Sequence, residues 1–87
     1  MDEHINFSTH IQMGRIAKNL NKSELGRRLG LTPQYISDIE KGSIPSEEVI
    51  AKIVDVLELD EYTTFKLADK LPPHVYEQAK RDYFSKG

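Results

Sequence analysis

The stretch from Asn21 to Gly42, NKSELGRRLGLTPQYISDIEKG, constrains the fold more than any other part of this chain. It reads as two short helices joined by a tight turn. Asn21 can cap the first helix by accepting from the free amides of its first turn. Leu25 and Leu29 share one face at i, i+4 spacing. Gly30 stops that helix, because glycine enters the left-handed backbone region without steric cost. Leu31 is the apolar residue of the turn. Thr32 and Pro33 then start a second helix, as N-cap and as a first residue whose missing N–H is not needed. Ile36 and Ile39 form its inward stripe, Gly42 ends it, and polar side chains occupy the face left over.

The flanks supply further helices. Residues 1–6 read as an arm, and a first helix is expected over Phe7–Asn19, with Phe7, Ile11 and Ile16 as buried positions. Residues 43–45 form a short loop. Ser46 caps a fourth helix whose Glu47 and Glu48 suit the positive end of the helix dipole, a cheaper explanation of paired carboxylates than acid–base chemistry. Val49, Ile50, Ile53, Val54 and Leu57 make its apolar stripe. Asp60 caps a fifth helix over Glu61–Leu71, with Tyr62, Phe65, Leu67, Ala68 and Leu71 as its apolar set. Leu71-Pro72-Pro73 breaks the chain, since proline disfavours helix in the residue before it. A last helix is expected from Pro73 to about Tyr83. Val75, Tyr76, Ala79, Tyr83 and Phe84 are apolar or aromatic there, and either thicken the core or form a dimer surface. The expected fold is all-α, a small bundle of five to six helices. Residues 1–71 are its main domain and residues 72–87 a helical extension.

Composition narrows the function. At 87 residues the chain is one small domain with a thin core. Its 38% hydrophobic and 30% charged residues suit a soluble helical protein. Without cysteine it has no disulfide or thiolate metal site, which fits a reducing cytoplasm. Its apolar runs are far short of a membrane span, and MDEHINF is acidic where a signal peptide is basic. His4, His10 and His74 lack ligand spacing, so no metal is expected. No phosphate loop, nucleophile elbow or H-E-x-x-H motif is present; neither an enzyme nor a cofactor is expected. The net charge of −2 is unevenly spread. Residues 1–45 carry six Lys/Arg against five Asp/Glu, while residues 46–87 carry six against nine, so the acidic excess lies outside the bihelical unit.

The bihelical unit resembles the helix-turn-helix of Cro and repressor-type regulators, the Xre family. Leu20, Leu25, Gly26, Leu29, Gly30, Ile36, Ile39, Glu40 and Gly42 carry the likeness, together with Arg15 before them and Pro45 and Ser46 after. It runs from about Phe7 to Leu59. The resemblance implies a lambda repressor-like DNA-binding domain in which Arg15 pairs with Glu40 and keeps donors for a phosphate; the alternative is an exposed arginine with no fixed partner. Gly14 departs from the large apolar residue usual in relatives, and Met13 is expected to fill the gap. Lys22 stands where many relatives have glutamine, and Gly26 where helices 2 and 3 cross closely. Arg27 and Arg28 are expected on the solvated side.

Helix 3, Pro33–Lys41, is then the recognition helix, with Pro33, Gln34, Ser37 and Asp38 toward bases. Gln34 is the best base reader, since its amide can bond adenine N7 and N6 together. Asp38 can accept from cytosine, and it also repels phosphates. Lys22, Ser23, Tyr35, Lys41 and Ser43 are placed for phosphates. The alternative is a plain surface helix. The implied function is a DNA-binding transcriptional regulator, a repressor acting as a homodimer on a near-palindromic operator. A second reading is a protein-interaction module or antitoxin on the same fold, binding a regulatory partner through residues 76–84. The acidic C-terminal half and Asp38 favour it.

Overall fold

The computed structural model describes residues 5–85, so His4 and most of the expected arm lie outside the described residues. Its order is α1 (Phe7–Ala17), α2 (Lys22–Leu29), α3 (Pro33–Glu40), α4 (Glu47–Leu57), α5 (Glu61–Ala68) and α6 (Pro73–Phe84), with no strand among the described residues. Five of the six helices start on a side-chain cap. Asn6, Asn21, Thr32, Ser46 and Asp60 each accept from the amide three residues on, satisfying a donor the helix leaves free. At α2 the cap is reciprocal: Glu24 also accepts from the Asn21 amide at 2.8 Å.

Four helices end in the same way. Asn19, Gly30, Glu58 and Asp69 each take a left-handed backbone, and the next amide turns back to the carbonyl five residues before it. This ending truncates two expected helices. Asn19, at φ 59°, stops α1 at Ala17, and Asp69, at φ 58°, stops α5 at Ala68 rather than Leu71.

The core is Phe7, Ile11, Leu20, Leu25, Leu29, Ile36, Ile39, Ile50, Ile53, Leu57, Phe65 and Ala68, drawn from α1 to α5. Val49, Val54, Leu59 and Leu67 pack against its rim. The buried face of α1 continues from Phe7 and Ile11 to Arg15, which is i+4 again. Ile16 lies about 100° round from it and is 57% exposed, so its expected burial is corrected. Tyr62 and Leu71 are likewise exposed. The gap at Gly14 is filled by Leu59, just past the end of α4, instead of by the exposed Met13. A Cβ built on Gly14 would lie 2.8 Å from Leu59 Cδ2.

Among the described residues one polar side chain is fully buried. Thr64 donates to the Asp60 carbonyl at 2.7 Å and lies 2.9 Å from His10 Nε2, which joins α1 to α5. A hydroxyl has one hydrogen, so His10 Nε2 is the donor in this bond. Burial lowers the His10 pKa, and nearby Asp60 partly opposes the shift. Farther along, Lys70 donates to the buried Pro45 carbonyl at 3.0 Å, tying the end of α5 to the loop before α4.

α6 differs from the rest. It packs against α4, yet none of its residues is buried, so its aromatics do not thicken the core. Pro73 sits in its first turn, and His74 contacts the Glu61 carboxylate at 3.0 Å. No helix among the described residues is long and apolar enough to cross a membrane.

Candidate nucleic-acid interface

α3 is oriented by its two isoleucines. Ile36 is 0% and Ile39 1% exposed, and their burial against α2 and α1 turns the opposite side of the helix outward. Burying each isoleucine contributes about 1.5–3 kcal/mol, far more than any rotation of so short a helix would recover. The approach of α2 to the turn depends on Gly26. A Cβ there would sit 2.5 Å from the Leu31 carbonyl oxygen and 3.3 Å from the Thr32 carbonyl carbon.

The residues expected to face bases fall on this outward side. Pro33, Gln34 and Asp38 are exposed and Ser37 is half-buried. Gln34 and Asp38, one helical turn apart, are bonded: Gln34 Nε2 donates to Asp38 Oδ1 at 3.0 Å. Ser37 receives a bond from α2, with Lys22 Nζ donating to its Oγ at 3.1 Å. Lys22 is half-buried and aimed at α3, with ammonium hydrogens left over from this bond. Ser23, Tyr35, Lys41 and Ser43 are exposed, and Tyr35 and Ser43 lie beside Asp38. Arg27 and Arg28 are exposed on α2. Neither inter-residue bond was part of the expectation. The Gln34–Asp38 spacing signals the first, while the second joins helices fifteen residues apart and has no local signal.

Arg15 is placed differently from the other cations. Its Nε and Nη2 donate to Glu40 Oε2 and Oε1 at 2.6 and 3.0 Å, and Nη1 donates to the Leu20 carbonyl at 2.9 Å. The side chains are only 11% and 3% exposed. The hydrogen bond to Glu40 raises the arginine pKa, against the opposing effect of burial. Three of its five N–H donors are committed inward as a brace between α1 and α3, and two are left for the expected phosphate contact.

Ile44, in the loop after α3, is 42% exposed beside Tyr35 and Asp38 and had not been singled out. Its signal was a lone apolar residue between Ser43 and Pro45. At the far end, Val75, Tyr76, Ala79 and Tyr83 share one side of α6 within about 100° of helical arc, and all are exposed. Phe84 projects from another side; its ring meets Tyr83 edge-on with centroids 5.3 Å apart.

Comparison with known proteins agrees with this geometry. The family model described as Helix-turn-helix matches residues 11–62, more than half of the chain. No curated protein and no solved structure gives a significant match.

Proposed function

We propose, from the premise that the chain belongs to the Cro/C1-type, Xre-like helix-turn-helix family, that it is a sequence-specific repressor acting as a homodimer. That it is a DNA-binding helix-turn-helix regulator follows from family membership. The finer reading rests on one observation above the others. The N-terminal part of α3 stands uncovered, held outward by Ile36 and Ile39, with Gln34 and its neighbours free to meet base edges.

In this reading Pro33, Gln34, Ser37 and Asp38 face bases, while Lys22, Ser23, Tyr35, Lys41 and Ser43 hold the phosphate backbone. A single eight-residue helix makes few contacts, so affinity at physiological salt calls for two copies. The apolar side of α6, which the described residues leave exposed, supports pairing through Val75, Tyr76, Ala79 and Tyr83. Two recognition helices then enter successive major grooves about 34–36 Å apart, and the occupied promoter is closed to transcription.

Selection from a random duplex pool tests this. The expected product is a two-part site with inverted half-sites about one helical turn apart. A chain that passes through immobilised random DNA without retention at low salt, and enriches no sequence, is instead a module for a protein partner.

A further inference from the structure

We propose that Asp38 is a positioning residue that fixes the polarity of the Gln34 amide, and thereby makes the protein prefer adenine to guanine at the base pair facing Gln34. The inference rests on the reading that α3 lies in the major groove. It starts from the 3.0 Å bond between Gln34 Nε2 and Asp38 Oδ1 on the exposed side of α3.

A primary amide can present its two ends either way round, as a donor of two hydrogens and an acceptor of two. Beside a carboxylate the choice disappears, because an ionised carboxylate only accepts. The amide must turn its nitrogen toward Asp38 and spend one hydrogen there. Outward it keeps one N–H and one carbonyl oxygen.

That remaining pair has a complement among the bases. Adenine offers N7 as acceptor and the N6 amino group as donor, so both halves of the amide are used. Guanine offers N7 and O6, two acceptors. A free glutamine can meet guanine by giving both hydrogens. One pinned by Asp38 has a single hydrogen left and brings its own oxygen against a second acceptor. Asp38 therefore works against guanine without touching it.

The same bond occupies one oxygen of Asp38, so any base contact of its own is left to the other. Lys22 is bonded to Ser37, and the Gln34 amide is the group that Asp38 holds.

The test uses the full chain. After the wild type has selected its site, binding of wild type, Gln34→Ala, Asp38→Ala, Asp38→Asn and the double variant Gln34→Ala/Asp38→Ala is measured by fluorescence anisotropy. Each is tested on that site and on versions carrying guanine for adenine. Wild type is expected to favour adenine by roughly ten- to a hundredfold at the position that Gln34→Ala makes indifferent. Asp38→Ala should cut that ratio several-fold at the same position, and the double variant should match Gln34→Ala alone. Asp38→Asn can accept from the Gln34 nitrogen or donate to its oxygen, so it should also lower the preference, while binding all sequences more tightly, having lost a charge that repels phosphates. Asp38 is exposed, so circular dichroism should show every Asp38 variant folded. An unchanged ratio in Asp38→Ala, a changed preference at a different base pair, or guanine selected opposite Gln34 overturns the inference and leaves DNA reading intact. A wild type that enriches no sequence overturns both.

Discussion

Arg15 and Glu40, twenty-five residues apart in sequence, meet as a fork on a carboxylate, with Nε and Nη2 each bonded to a separate oxygen at 2.6 and 3.0 Å. Both are nearly sealed from solvent, so removing one partner strands a charge. Glu40→Ala is expected to lower the unfolding free energy by about 3–5 kcal/mol, and Arg15→Lys to recover little, since an ammonium cannot make the two-pronged contact. Replacing both by apolar residues, Arg15→Met with Glu40→Leu, should cost less than Glu40→Ala alone. Urea midpoints at constant slope report the difference.

Two glycines should respond differently to alanine. At Gly26 the added methyl meets backbone of the turn at 2.5 Å, which must shift, and a loss of about 1–3 kcal/mol is expected. At Gly14 the methyl meets only the flexible tip of Leu59, and the gain in helix propensity of roughly 1 kcal/mol offsets it. Thermal melts of the two variants should separate clearly; equal losses would mean that the close approach at Gly26 is not needed.

Stability should fall as the solution is acidified through the histidine range. Burial lowers the His10 pKa below its ordinary 6.5. The unfolded chain therefore takes a proton more readily than the folded one, and the unfolding free energy rises with pH across that window. Above pH 6.5 the contribution is complete. Below, it is lost progressively toward the lowered folded value. His10→Gln should flatten this part of the profile, measured as the urea midpoint from pH 7.5 to 5. A second loss belongs to Asp60, whose carboxylate is held by the Thr63 hydroxyl and amide and has its pKa lowered from 3.8, so it acts only below about pH 4.

Phosphate contacts have a salt signature that base contacts lack. Lys41→Ala is expected to weaken selected and random DNA alike and to reduce the slope of log affinity against log salt by about 0.9. Lys22→Ala should do the same and also release Ser37, so a small change in base preference accompanies it. Titrations at two salt concentrations distinguish the pair.

The exposed side of α6 gives a prediction about assembly. Tyr76→Ser with Tyr83→Ser removes two rings that the single chain leaves in solvent, so helical content should stay the same. In sedimentation the wild type is expected as a dimer and this variant as a monomer, with binding to a two-part site reduced at least tenfold. A monomeric wild type would remove the pairing.

The helices were legible because their punctuation is local. Asn21, Thr32, Ser46 and Asp60 each cap within three residues of themselves, and Gly30 and Pro33 bound the turn without help from the rest of the chain. Interior placement was less legible where it depended on distant partners. Arg15 is buried because Glu40 and the Leu20 carbonyl receive it, and a pattern that counts only apolar residues puts Ile16 there instead. Thr64 is buried for the same kind of reason, with Asp60 and His10 using its hydroxyl. On the outward side of α3, the residue set followed from Ile36 and Ile39. The i, i+4 spacing of Gln34 and Asp38 marks their bond, whereas the one from Lys22 to Ser37 emerged only from the side-chain arrangement.

Only Gly30, Leu31 and Thr32 separate α2 from α3. Gly30 is held left-handed, Leu31 bonds back to the Gly26 carbonyl at 2.8 Å, and Thr32 is committed as a cap. One residue inserted here would swing α3 by about 100°, putting Tyr35 and Asp38 where Ile36 and Ile39 now pack. Chains built on this armature can change the message they read by swapping letters on a fixed die, and have almost no freedom to do so by re-aiming it.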